Sequence, residues 1–173
     1  MIETRWRRVA WIAIVVADAG WLVWGAMAAL APEHLPGPHS ASIVVDGYEG
    51  FTNGSWSALV ATSPRTAGFI MLLFRMFGAI GVTFTGLAIA ITATAFRRGE
   101  RWAWWALLLG NTIAFGVPMT YDRIVNAIGP FELTEYLGIA VIYAALALTA
   151  SVNLRRSRTG SPSAPLRART WGI

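Results

Sequence analysis

The sequence predicts an all-α protein: a four-helix transmembrane bundle with both termini cytoplasmic and one long outer loop between helices 1 and 2. Three observations predict it. Four apolar stretches are each long enough to cross a hydrocarbon core of roughly 30 Å. Charged residues make up 13% of the chain and hydrophobic ones 55%, with a mean hydropathy of +0.53, whereas a soluble domain carries about a quarter charged residues. Finally, the arginines cluster at one set of ends of the apolar stretches, which is the positive-inside pattern.

The first span covers about 9–31. It follows the basic start Arg5-Trp6-Arg7-Arg8. A cleaved signal peptide is the competing reading, since Ala29-Leu30-Ala31 resembles a cleavage site. Against it, the apolar part exceeds the usual 7–15 residues, Asp18 interrupts it and Pro32 would follow the cut. Residues 32–65 form the outer loop. Its prolines Pro32, Pro36 and Pro38 oppose helix. Ser42-Ile43-Val44-Val45 before Asp46-Gly47 predicts a short strand and turn. Asn53-Gly54 predicts a second turn, and Ser55–Ala61 a short interfacial helix with Trp56 at headgroup depth. Pro64 either ends that helix or begins the next.

The second span, about 66–96, is longer than a bilayer needs and is expected to tilt. The turn Arg97-Arg98-Gly99-Glu100-Arg101 separates it from the third, about 101–120, which opens on Trp102, Trp104 and Trp105 as an interfacial belt. The fourth span is about 131–154. Residues 155–173 are basic and rich in Pro, Ser and Gly, so a disordered cytoplasmic tail is expected. Arg5, Arg7 and Arg8, the Arg97–Arg101 turn and five tail arginines share one side, leaving Arg65, Arg75 and Arg123 on the other.

Composition also excludes function classes. The chain of 173 residues has no cysteine, hence no disulfide, thiol nucleophile or thiolate metal site. The net charge of +5 is carried by 14 basic residues, all arginine and placed at helix ends. That arrangement serves topology and implies no nucleic-acid partner. His34 and His39 lie in the outer loop, so no histidine inside a span is available to haem. No nucleophile-elbow, zinc-protease or phosphate-loop motif occurs. Neither cofactor nor catalytic residue is assigned.

Depth organises the remaining polar residues, at about 1.5 Å per helical residue. Asp18 lies ten residues from Arg8 and Asn111 ten from Arg101, roughly 15 Å in. Thr85 and Tyr143 lie twelve from Arg97 and Arg155, roughly 18 Å in. The four spans thus each bring one polar group to a midplane layer: Asp18, Thr85, Asn111 and Tyr143. Arg75, Asp122, Glu132 and Glu135 form an outer layer, roughly 30 Å from the same anchors. Arg75 is expected to pair with Asp122, Glu132 or Glu135, since its planar fork suits carboxylates. Asp18 is read either as interhelical glue, bonded to Asn111 or Tyr143, or as a proton-linked or ligand-binding group. Small-residue rows mark the expected helix contacts: Ala10-Ala13-Ala17-Gly20, Gly78-Gly81-Thr85-Ala88, Ala103-Gly110-Ala114 and Ala140-Ala144-Ala147-Ser151.

Ser55-Trp56-Ser57-Ala58-Leu59 and Ser63-Pro64 precede a helix bearing Arg75-Met76-Phe77-Gly78-Ala79, followed by Phe96-Arg97-Arg98-Gly99-Glu100-Arg101-Trp102-Ala103-Trp104. This order resembles small four-helix integral membrane proteins of bacteria and archaea that carry no established activity. The likeness spans roughly Phe51–Trp105, about a third of the chain. It implies fold and topology in a prokaryotic cytoplasmic membrane, and no function.

Three functions are therefore expected to compete. One is a non-enzymatic structural or accessory subunit, with the lipid bilayer and a second copy or a membrane protein as partners. The second is a small-molecule or proton-linked transporter using Asp18; the small multidrug resistance family also sets an acid in its first of four helices, but is shorter and lacks the long outer loop. The third is a lipid-modifying enzyme using Asp122, Glu132 and Glu135 at the outer interface.

Overall fold

The computed structural model describes residues 2–40, 42–125 and 130–155, with side chains over 5–40, 42–125 and 133–151. Among the described residues the chain is helical and contains no strand. Helix α1 is Ile2–Leu30, followed by a 3-10 turn at Pro32–His34. Then come α2 (Ile43–Thr52), α3 (Trp56–Thr62), α4 (Pro64–Ile91), α5 (Arg101–Ile124) and α6 (Pro130–Arg155). A π-type turn, Thr92–Phe96, extends α4.

Three helices are long and apolar enough to cross a membrane: α1 over Arg5–Leu30, α4 with its extension over Pro64–Phe96, and α6 over Leu133–Ser151. Helix α5, with 24 residues, is about 36 Å long. It is not among the three, because Asn111, Thr112, Thr120 and its tryptophans dilute its apolar content. It also runs past the expected end at Thr120, so Asp122 and Arg123 belong to its last turn and Pro118 sits inside it. The tail beyond Arg155 lies outside the described residues.

Helix α1 is the hub, packed on α4 along one side and α6 along another, while α5 lies on α6 and meets α4 more loosely. Small residues set the α1–α4 approach. A Cβ on Gly78 would overlap the backbone of Ala28 and Ala29, and one on Gly25 would sit 3.1 Å from the Val82 nitrogen. The core lies toward the arginine-rich end, where Ile14, Phe96, Leu107, Ile142 and Leu146 are fully enclosed. Phe96 reaches that core from the π-type turn. The helix then stops in a Schellman motif: Gly99 takes φ 81° and its N–H bonds the Phe96 carbonyl at 2.9 Å. The Glu100 N–H bonds the Ala95 carbonyl at 3.0 Å. Glycine carries that positive φ without a Cβ clash. Arg97 stacks 5.4 Å over the Trp11 ring, and buried Trp104 donates its indole N–H to the Leu146 carbonyl at 2.8 Å.

The expected row on α6 is not used this way. Ala140, Ala144, Ala147 and Ser151 all face outward, while Ile139, Ile142, Ala145, Leu146 and Thr149 fill the core side. Larger apolar side chains cover more surface there, and the α6 neighbours leave room for them.

The outer loop corrects the strand expectation. Ser42–Val45 is the start of α2, not a strand. Ser42 stays extended at the N-cap position and helix begins at Ile43. Here tertiary contacts override the β preference of Ile43-Val44-Val45: Val44 and Gly47 are buried, and Gly47 lies against the Tyr121 hydroxyl. Asp46 fixes the preceding loop by accepting the backbone N–H of His39 at 2.8 Å and of Ser40 at 3.1 Å. Burial pushes its carboxyl up, but these donors outweigh that and hold it below the ordinary aspartate value. Asn53, at φ 54°, ends α2, which is the expected Asn-Gly turn. Ser55 caps α3, its hydroxyl accepting the Ala58 N–H, and Pro64 opens α4.

Candidate functional site

Of the four residues expected in the midplane layer, Asp18, Thr85 and Asn111 are buried. Trp21 of α1 meets Phe115 of α5 edge-on, with ring centroids 4.9 Å apart. One turn toward the arginine-rich end, these two helices carry Asp18 and Asn111, both with 0% exposure; one further turn brings Ile14 and Leu107, both in the core. The antiparallel α4 enters through Gly25 against Gly81 and Val82. Carried two turns along both helices, that register sets Asp18 level with Ala88, between Thr85 and Thr92. All three α4 residues are buried.

Hydrogen bonds separate these groups sharply. The Thr85 hydroxyl donates to its own helix, at the Gly81 carbonyl 2.8 Å away. The Asn111 amide donates to the Leu107 carbonyl at 2.8 Å, leaving its Oδ1 without a donor. The Thr92 hydroxyl has no partner, and neither oxygen of Asp18 meets a donor among the described residues. Asp18 is thus not glue to Asn111 or Tyr143. The reason is directional: Asn111 turns its N–H2 down its own helix, and Tyr143 points away from the core.

Tyr143 is 38% exposed and bonds Thr112 at 2.8 Å. The Thr112 hydroxyl already donates to the Leu108 carbonyl at 2.7 Å, so the tyrosine is the donor. That bond ties α5 to α6 on their outer surface. Tyr143 therefore leaves the predicted layer, and the buried Thr92 hydroxyl lies two turns along from Thr85 on the same helix. Thr92 was legible as the third member of the row Thr85-Ala88-Thr92, spaced by three and four residues.

The outer layer also rearranges. Arg75 pairs with Glu33 at 3.4 Å, not with Asp122 or Glu135. The α1–α4 register explains it, because continuing from Gly25 past Leu30 brings the 3-10 turn alongside Arg75. Both side chains are nearly half exposed, so the pair contributes little stability. Its own backbone N–H, and after it Arg75, holds the Glu33 carboxyl below its ordinary value. Asp122 and Glu135 are buried, each with interactions of its own. The side chain of Glu132 lies outside the described residues.

Comparison with family models, curated proteins and solved structures finds no match to this chain. Its chemistry is therefore argued from geometry. Among the described residues no three acidic, histidine or cysteine groups stand close enough to hold a metal ion. A crevice of about 230 Å³ separates α4 from α5, lined by Phe77, Phe84, Thr85 and Pro118 among others. It opens the outer surface of α4 and α5 toward the buried Thr85.

Proposed function

We propose that the protein is a multi-pass membrane subunit, with α5 as the fourth crossing and both termini on the cytoplasmic side, whose role is non-enzymatic association, first with a second copy of itself. Support for the fourth crossing comes from α5 itself: it buries Asn111 against the bundle while Leu109, Ile113, Val117 and Ile124 face outward. The observation that carries the association is the outward row Ala140-Ala144-Ala147-Ser151 on α6. Rows of small residues let helix backbones approach closely in lipid, and this one meets no other helix among the described residues.

The chain has no native cysteine, so a single introduced thiol reports one position. Oxidised in native membranes, Ala140→Cys is expected to give a covalent dimer, and the double variant with Ala147→Leu is expected not to. Leu72→Cys, exposed on α4, is expected to stay monomeric. Equal cross-linking at Ala140 and Leu72, or none at Ala140, would overturn the proposal.

A second reading rests on Asp18. A carboxyl wholly buried with no donor is costly, and such groups in membrane spans mark proton or ligand paths. In that reading the crevice at Thr85 supplies access. Loss of proton-coupled flux in Asp18→Asn, with the fold intact, would favour it.

A further inference from the structure

Between α1 and α6 runs an open groove of about 890 Å³, nearly all apolar. It extends along α1 from Val9 to Met27, about 27 Å of helix. Ala13, Ala17 and Gly20 floor it from α1, and Gly138 and Val141 from α6. Leu35 and Pro36 bound its far end. At the other end no described residue closes it. One turn before Val9, in the same helical register, come Arg5 and Trp6, and Trp6 is 51% exposed.

We infer that this groove binds an anionic glycerophospholipid from the leaflet on the Arg5 side, its acyl tail along α1 and its phosphate at the Arg5 guanidinium. Four features select that occupant. The groove has an apolar length with a cation at one end, which is the charge pattern of a lipid and not of a second helix. One leaflet's tail needs about 15 Å, half of the hydrocarbon core, and the groove exceeds it. Its far end is bounded by Leu35 and Pro36, which carry no charge for a headgroup, so the lipid enters from the arginine-rich side. Trp6, beside Arg5, sits where indoles favour the headgroup boundary. The inference goes beyond the association proposed above and rests only on α1 and α6 crossing the membrane.

The test uses the full chain, purified in mild detergent with an equimolar mixture of phosphatidylglycerol and phosphatidylcholine bearing identical palmitoyl-oleoyl tails. Native mass spectrometry reads the retained lipid. One arginine near an anionic headgroup corresponds to about a five-fold preference, so phosphatidylglycerol is expected to exceed phosphatidylcholine by about that ratio. Arg5→Gln is expected to bring the ratio to about one. Gly20→Leu fills the groove, and a Cβ at Gly20 meets nothing within 4 Å, so the fold is expected to persist while both lipids are lost. Val16→Phe, from another exposed groove position, is the second filler should Gly20→Leu not fold. Gly116→Leu, equally open but on α5, is expected to retain lipid like the parent. Equal retention in parent, Arg5→Gln and the fillers would overturn the inference. Loss of both lipids in the fillers without any headgroup preference would overturn the anionic assignment. A dimer abolished by the fillers with lipid unchanged would assign the groove to a second copy instead.

Discussion

Replacing Gly78 by leucine is expected to separate the two longest helices. A Cβ at this position falls on the backbone of Ala28 and Ala29, and backbone cannot swing aside as a side chain does. Overpacking a core costs about 1–3 kcal/mol when side chains can yield. With backbone in the way the upper end applies, which lowers the midpoint of thermal unfolding by roughly 6–12 °C. Gly116→Leu is the matched control. Its Cβ meets nothing within 4 Å, so its midpoint is expected to stay near that of the parent. Tryptophan fluorescence during heating in detergent reads both. A Gly78→Leu protein as stable as the control would mean that α1 and α4 do not cross at Gly25 and Gly78, and the register built on that crossing would fall.

Asp18→Val is expected to raise stability, the reverse of the usual outcome at a fully buried position. Both carboxyl oxygens are enclosed without a donor among the described residues. An unsatisfied buried polar group costs about 1–3 kcal/mol, and an apolar side chain of similar volume removes that cost. Asp18→Asn keeps an unpaired polar group and is expected to melt close to the parent. A midpoint lowered by Asp18→Val would show that the carboxyl has a partner in the folded protein, and that it acts as interhelical glue after all. Proton flux measured in the same variants then decides between an accessory subunit and a proton-linked binder.

Much of this arrangement was legible in the sequence. Spans one, two and four follow from length and hydropathy, and the Ser55 cap, the Pro64 start and the Gly99 turn follow from local chemistry. Depth counting from the arginine anchors also picked out Asp18, Thr85 and Asn111, all three of which are buried. What depth cannot give is rotation. Tyr143 lies at the right height but turns outward to Thr112, and the row Ala140-Ala144-Ala147-Ser151 looked like a contact yet faces away from the bundle. Arg75 found Glu33 because α1 and α4 are neighbours; choosing among four carboxylates needed that adjacency. The strand expected at Ser42–Val45 failed for a related reason. Burial of Val44 and the hold of Asp46 on the preceding loop come from tertiary contacts that a β-branched trio does not reveal.

The account depends most on how the chain is threaded, and above all on whether α5 crosses. Single cysteines at Ser57, Arg98 and Ser157, each in the cysteine-free parent, can be labelled in intact cells with a membrane-impermeant maleimide. The account predicts labelling at Ser57 from outside, and labelling at Arg98 and Ser157 only after the membrane is opened. Labelling of Ser157 and Arg98 from opposite sides would contradict it, since an odd number of crossings would then lie between them and α5 would not span the bilayer.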